Sequence, residues 1–357
     1  MGYQIYRKMS DESEFSRYRV VSSESKSFKD FNVLYGHTYD YKLTALGPDY
    51  ESVPSEPVEI LPGPTINWVV NSFSGQLVKL SHDAQHQISR FSGFYTLVDV
   101  EPNPKTEEVW VVERSTRFAG NAIRVSKAGR IQQPIVPFTG PVDAAIDLIS
   151  NSIWIADLEA RRVAKLDSLG GRVFTNGELL APISLAVDQR NGVCWVADRI
   201  LQRIARISED GTATDFSAVE FISLQSLTVN SRDGSVWVAD STRVVKLSED
   251  GSRQLDLDHD FQYAYKISVN ENTGEVWVLD LGPSTLLKFS SSGSKIFEVA
   301  GFSEPQDLAV NLFDNSCLVA DTENNRLVKV AANSVMIGEF SNIRSPFAVG
   351  IQYTPPR

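Results

Sequence analysis

The sequence is poor in the residues that most often carry metal or redox chemistry, with two cysteines and four histidines in 357 residues. Cys194 and Cys317 are too few for a disulfide framework and read as small core residues. His82 and His86 have the His-x-x-x-His spacing of a zinc-binding pair, but they are predicted in an outer turn and strand and not on a helix, so no transition-metal site is expected. The chain also has no P-loop, dinucleotide fingerprint or nucleophile elbow. These absences exclude the enzyme classes that such motifs identify.

Long apolar runs and an excess of positive charge are also missing. No run approaches the roughly 18 residues that a membrane span needs, and the N-terminus lacks the apolar stretch of a signal peptide. The formal net charge is −11. A negative surface repels phosphate backbones and anionic lipid, so the sequence predicts neither nucleic-acid binding nor membrane insertion.

The tryptophans mark a repeat. All six, at positions 68, 110, 154, 195, 237 and 277, are separated by 40 to 44 residues, and Leu318 follows 41 residues later in the same context. The shared block is Trp-Val-Ala-Asp, as at 195–198 and 237–240. In each unit an apolar strand and a polar turn precede the block, and further short strands follow it. Four-stranded repeats of this length predict a β-propeller, an all-β fold in which sheets stack around an axis.

The two ends of the repeat region complement each other. The first unit, 65–95, has no first strand, whereas 346–353 at the C-terminus reads as a first strand with nothing after it. If the C-terminal strand pairs with Asn67–Asn71, the ring has no open edge. This closure predicts a seven-bladed β-propeller spanning 65–354.

Residues 65–354 resemble the NHL and YVTN families of repeat propellers. The carriers are the Leu-Ala-Val-Asp strand at 185–188, the Val-Trp-Val-Ala-Asp strand at 236–240 and the Asn-Asn-Arg-Leu-Val-Lys run at 324–329. The resemblance implies the fold and leaves the ligand open. Some related propellers are lactonases or streptogramin lyases that use histidines or carboxylates near the channel with a metal.

Residues 1–61 resemble part of a fibronectin type III domain. The run Thr-Tyr-x-Tyr-x-Leu-x-Ala at 38–45 matches the strand that carries the tyrosine corner, and 52–57 match the last strand. Only five strands are readable, against the roughly seven of a complete domain. We therefore expect an incomplete fibronectin type III β-sandwich, with a parent protein that extends upstream and Pro62-Gly63-Pro64 as a stiff junction.

One set of acidic residues recurs at the end of the tryptophan block and would lie on one face of the ring. As a functional hypothesis, it is a rim that binds cations or cationic ligands. As a structural hypothesis, each carboxylate caps its own hairpin and pairs with a nearby arginine, which turn chemistry favours. The candidate ligand-face residues are Asp157, Asp198, Asp240, Asp280, Asp321 and Glu113. For the tryptophans, packing between sheets is favoured over sugar stacking.

The segment around Asp256, Asp258 and Asp260 resembles a calcium loop. It departs from the EF-hand pattern, because Phe261 and Ile267 stand where glycine and glutamate are needed. No cofactor is therefore expected, and calcium is the alternative. Phe261, Tyr263 and Tyr265 either line the mouth of the ring or pack.

The resulting expectation is a non-catalytic binding or scaffolding module of a larger secreted or surface protein, prokaryotic and monomeric. Its partner would be a protein or a glycan on a propeller face. The alternative is a metal-assisted lyase or hydrolase that acts at the central channel.

Overall fold

A computed structural model describes residues 1–25, 28, 30, 32–34, 37–177, 179–215 and 219–353. These residues form eight four-stranded sheets and no helix. No helix of these residues therefore has the length and apolar character to cross a membrane. The all-β prediction is confirmed.

The N-terminal sheet has the order β2-β1-β3-β4. Its strands are β1 (Gly2–Met9), β2 (Ser16–Ser22), β3 (Tyr39–Leu46) and β4 (Val58–Ile60). All of its pairings are antiparallel. One of the five strands read from the sequence, at 27–33, lies partly outside the described residues, and β2 was not among those five.

The other seven sheets share one antiparallel plan in which a first strand pairs with a second, the second with a third and the third with a fourth. The first strands are β8 (Thr96–Pro102), β12 (Pro141–Asp147), β16 (Pro182–Asp188), β20 (Leu224–Asn230), β24 (Ala264–Val269), β28 (Pro305–Val310) and β32 (Pro346–Tyr353). The second strands carry the tryptophan block and are β5 (Thr65–Asn71), β9 (Val109–Thr116), β13 (Ser152–Asp157), β17 (Val193–Asp198), β21 (Ser235–Asp240), β25 (Val276–Asp280) and β29 (Cys317–Asp321).

The third and fourth strands complete each sheet on the side away from the first strand. The third strands are β6 (Gln76–Leu80), β10 (Ala119–Val125), β14 (Arg162–Leu166), β18 (Arg203–Ile207), β22 (Arg243–Leu247), β26 (Thr285–Phe289) and β30 (Arg326–Val330). The fourth strands are β7 (Gln87–Ser92), β11 (Ile131–Phe138), β15 (Arg172–Asn176), β19 (Ala213–Asp215), β23 (Arg253–Asp256), β27 (Lys295–Val299) and β31 (Met336–Phe340).

The first strands contact one another in a closed cycle, from β8 through β28 to β32 and back to β8. The C-terminal strand β32 supplies the first position of the sheet β32-β5-β6-β7. Its register runs from Pro346 opposite Asn71 to Tyr353 opposite Thr65, which is the pairing predicted from the sequence. The Trp68 indole N–H also donates to Gln352 Oε1 at 3.0 Å, which ties the two ends of the region together.

The core lies between successive sheets. All six tryptophans are buried, none more than 3% exposed, and most clusters combine the tryptophan of one sheet with the first strand of the next. A basic side chain of the third strand lies over most of the rings, as Lys246 does over Trp237 at 5.3 Å. The packing interpretation of the tryptophans is therefore confirmed, and a buried ring cannot stack on a sugar.

The packing role predicts a graded series at Trp237, which lies in a cluster with Phe261 and Ile267. Trp237→Ala should lower the free energy of unfolding by about 3–5 kcal/mol, because it leaves a cavity between two sheets. Trp237→Leu copies the residue that the last sheet has at Leu318 and should cost clearly less. Urea denaturation measures both, and equal costs for the two variants would contradict the interpretation.

Candidate functional site

The carboxylates of the predicted ligand face lie inside the protein, where they bind backbone amides. Asp157 Oδ1 accepts from the Gly140 N–H at 2.6 Å, and Asp240 Oδ1 accepts from the Ser223 N–H at 2.6 Å. All six side chains are at most 3% exposed. Each fixes the connection that leads from the preceding sheet into its own sheet.

Arginine partners complete several of these caps. The expected ion pairs form between Arg162 and Asp157, and between Arg243 and Asp240, at 2.9 Å, and between Arg326 and Asp321 at 2.7 Å. Glu113 instead accepts from the Tyr95 N–H and from Asn121 Nδ2, both at 2.7 Å. The geometry matches the capping hypothesis, while ligand binding by this face stays a prediction.

The aspartates of the calcium-like segment do not converge. Asp256 forms an ion pair with Arg253, and Asp258 lies exposed on the surface. Across the described chain, no group of three or more histidine, cysteine, aspartate or glutamate side chains is placed to hold a metal ion. Cys194 and Cys317 are buried free thiols whose pKa is raised by burial.

Ionisable side chains meet instead on the axis of the closed cycle. One register position of the first strands, directly after a shift in pairing, brings them together. We call this set the axial ring: Asp99, Asp143, Ser184, Ser226, Lys266, Asp307 and Ala348. The ring thus contains three carboxyl groups and one amine.

Hydrogen bonds between neighbouring first strands orient the carboxyl groups. Asp143 Oδ2 accepts from the Leu185 N–H at 2.6 Å, and Asp307 Oδ2 accepts from the Val349 N–H at 2.9 Å. In both residues the other oxygen, Oδ1, lies about 4 Å from Lys266 Nζ, at 4.0 and 3.9 Å. Because β24 and β12 are not neighbours in the cycle, Lys266 bridges the channel.

Asp99 differs from the other two ring carboxyl groups because both of its oxygens are bonded to backbone. They accept from the Val100 and Ala144 N–H groups at 2.8 and 2.7 Å. Glu101 follows on the same strand, opposite Trp110. In the other first strands this position holds only small residues, namely Ala145, Ala186, Thr228, Ser268, Ala309 and Gly350. Glu101 is thus the one large side chain at its level of the channel.

The axial ring divides the channel into two cavities. A wide cavity of about 360 Å³ lies where the first strands end and is lined by Glu101, Asp143 and Tyr353, among others. A narrow cavity of about 190 Å³ lies where the first strands begin. Asp99, Lys266 and Asp307 line both.

Burial and mutual repulsion shift the protonation of the channel acids. Burial raises the pKa of Asp143 to about 6, although the Lys266 charge opposes this shift. The pKa of Asp99 is also raised, by burial and by Asp143, and the pKa of Glu101 is raised by burial and by Asp99. Burial acts against the charged form of Lys266, but Asp307 and Asp143 raise its pKa. The channel therefore places one cation beside carboxyl groups whose pKa values are raised by burial.

The metal of related propeller enzymes does not fit these donors. Lys266 Nζ already lies between Asp143 and Asp307, where a divalent cation would have to be. No histidine of the described residues lines either cavity. The chemistry available here is that of carboxyl groups and an ammonium group.

The sequence interpretation missed the axial ring. It took the first strands as apolar and placed the polar residues at the turns beyond. The signal was present in the alignment of the repeats, where one position reads Ser184, Ser226, Lys266 and Asp307 while its neighbours stay apolar. Variation from a small residue to a charged one at an inner position indicates a role in the channel.

Comparisons with known proteins establish the fold. No family model and no curated protein matches the sequence. Among solved structures, the periplasmic gluconolactonase of Pseudomonas aeruginosa is similar over 82% of this chain and 99% of its own, with 13% identity and a TM-score of 0.66. A putative 6-phosphogluconolactonase of Bacteroides uniformis is similar over 81% of this chain and 100% of its own, with 12% identity and a TM-score of 0.66. The virginiamycin B lyase of Staphylococcus aureus is similar over 81% of this chain and 96% of its own, with 12% identity and a TM-score of 0.62.

These neighbours show that the chain has a β-propeller fold. Their names correct one expectation. The prediction of a non-catalytic scaffold is contradicted by the structural neighbours that are named as lactonases and lyases. The sequence argument failed because it placed no ionisable residue on the axis, where the structure has Asp99, Glu101, Asp143, Lys266 and Asp307, among others.

Proposed function

We propose that the protein is an enzyme that opens an ester bond of a small molecule, such as a lactone, at the axial ring. The observation that carries this proposal is the set of channel acids, whose pKa values are raised by burial, beside the partly buried Lys266 ammonium group. Carboxyl groups with raised pKa values are suited to act as acid and base at one site. The lactonases and lyases among the structural neighbours support the same class of reaction.

Hydrolysis assigns one role to each group. The Asp143 carboxylate takes a proton from water, and the oxygen of that water attacks the ester carbonyl carbon. The Lys266 ammonium group stabilises the negative charge that develops on the carbonyl oxygen. As the carbon–oxygen bond of the ester breaks, protonated Glu101 gives its proton to the leaving alkoxide. The products are a carboxylic acid and an alcohol, and a proton passes from Asp143 to Glu101 through solvent.

The test is a panel of gluconolactone, 6-phosphogluconolactone, simple aliphatic lactones and virginiamycin B, followed by acid release and by mass spectrometry. A mass gain of one water indicates hydrolysis, and an isomer of unchanged mass indicates elimination. Glu101→Gln should lower turnover by about 10²–10⁴-fold, because the amide cannot supply the proton. Turnover of no member of the panel, or equal turnover by Glu101→Gln, would overturn the proposal.

For the domain organisation, we propose a seven-bladed propeller over 65–354 and a partial fibronectin type III unit over 1–61. The closed cycle of first strands supports the first assignment. For the second, the order β2-β1-β3-β4 is that of the C′, C, F and G strands of such a domain. The Leu34 N–H donates to Tyr39 Oη at 3.0 Å, which is the hydrogen bond of a tyrosine corner.

We also propose that the protein is exported. The fibronectin-like unit and the periplasmic gluconolactonase among the structural neighbours support this location. Fractionation of the source cells tests it, and recovery of the protein in the cytoplasmic fraction alone would contradict it.

A further inference from the structure

The narrow cavity differs in charge from the wide one. Apart from the ring residues that it shares with the wide cavity, its charged lining residues are Arg114 and Arg199. Each of these residues directly follows a member of the predicted acidic face, Glu113 or Asp198, whose carboxylate is buried against backbone amides. Ligands that reach this mouth therefore meet the guanidinium groups.

Both guanidinium groups keep donors free. In the described part of the chain, Arg114 donates to the Arg117 carbonyl at 3.0 Å, and Arg199 donates to Gln225 Oε1 at 3.5 Å. Neither forms an ion pair with a described carboxylate, although most other channel and rim cations do. A guanidinium has five N–H donors, so several remain on each side chain.

The two outermost register positions around the opening of the narrow cavity contain no acidic residue. Where Arg114 and Arg199 stand, the other sheets have Ser72, Leu158, Ser241, Leu281 and Thr322. One level deeper are Val98, Val142, Ile183, Gln225, Tyr265, Gln306 and Phe347, all of which line the narrow cavity. The first acids below them, Asp99 and Asp307, have a raised pKa because of burial. An anion here would meet cations before it met a carboxylate.

We infer that the narrow cavity binds an anionic group, a carboxylate or a phosphate, between Arg114 and Arg199. A guanidinium group suits these oxyanions because it offers parallel N–H donors together with charge. Tyr265 and Phe347 add an apolar wall beside the arginines. The site lies across the axial ring from the wide cavity. The inference deepens the proposed function, on which its catalytic meaning rests, by assigning an anionic substrate or product to the enzyme.

Binding is measured by calorimetric titration of the full chain with inorganic phosphate and, separately, with malonate at low ionic strength. Saturable binding is expected, and neutral glucose should not compete. Arg114→Gln and Arg199→Gln should each weaken it by about tenfold, and the double variant by more than either. Arg130→Gln, an exposed arginine in a turn, has the same charge change and should leave binding unaltered.

Retention of binding in the double variant, or an equal loss in Arg130→Gln, would overturn the inference, as would the absence of saturable binding of both anions. Because the titration needs no turnover, it is independent of the hydrolysis panel. If the anion site exists but Glu101→Gln leaves turnover intact, the proposed chemistry fails alone. If turnover needs Glu101 but neither anion binds, the anion site fails alone.

Discussion

Asp143→Asn is expected to lower kcat/KM by about 10²–10⁴-fold on the best substrate of the lactone panel, which is the usual contribution of a general base. Asparagine keeps the shape of the side chain and can still face the Leu185 N–H, but it cannot take a proton from water. The fold should therefore persist. Asp258→Asn removes one carboxylate from an exposed loop and serves as the matched control.

The same residue predicts the pH dependence of the reaction. Burial raises the pKa of Asp143 to about 6, so its carboxylate is protonated and inactive below that pH and available above it. Activity should thus rise with pH through about 6 and fall again where Glu101, whose pKa is also raised by burial, loses its proton. A profile of kcat/KM against pH measures both limbs. An acid limb near pH 4, the range of an ordinary aspartate, would mean that another group is the base.

Removal of the C-terminal strand is the second large expected effect. A chain that ends at Ser345 loses β32, and with it the partner of β5, the acceptor for Trp68 Nε1 and the buried side chains of Ala348 and Val349. The loss should be comparable to the whole free energy of unfolding, about 5–15 kcal/mol for a typical domain. Thermal unfolding followed by circular dichroism should then show no cooperative transition.

The control for this truncation is a chain that ends at Tyr353, which keeps β32 complete. It should unfold like the full chain. A cooperative transition in the shorter chain, at a midpoint within a few degrees of the control, would show that β32 does not hold the two ends together. The missing strand added as a synthetic peptide should restore part of the transition if pairing with β5 is what matters.

Gly350 of β32 lies opposite Trp68 of β5 in the pair of strands that closes the cycle. A Cβ there would come within 2.7 Å of Pro102 Cδ and 2.9 Å of the Val100 carbonyl oxygen. The close approach of β32 to β8 therefore requires a residue without a side chain.

The repeat and its closure were predictable because they depend on side chains that each sheet needs for itself. A buried ring between sheets recurs wherever the sheets stack, so the spacing from Trp68 to Leu318 reports the architecture directly. The unmatched strands at the two ends likewise follow from the hydrogen-bonding needs of β5.

The axial ring was harder to predict because it depends on register. Asp99, Lys266 and Asp307 belong to three different repeats, and they meet only because the pairing of each first strand shifts just before them. A single sequence shows a charged residue at the start of an apolar strand and does not show which way it points. The same register separates the charges of the two cavities. Glu101 lines the wide cavity and Arg114 lines the narrow one, although the two residues lie on adjacent strands of one sheet.

The pairing of β5 with β32 also sets an order of events during synthesis. When β5 leaves the ribosome, its partner is still nearly 300 codons away, which at ordinary elongation rates is a delay on the order of tens of seconds. Throughout that interval one margin of the earliest propeller sheet has unsatisfied amide and carbonyl groups that a strand of another chain can join. Chains that are being synthesised on the same mRNA can therefore pair with one another through the unpaired edge of β5. A chaperone that binds unfolded chains would bind at this edge.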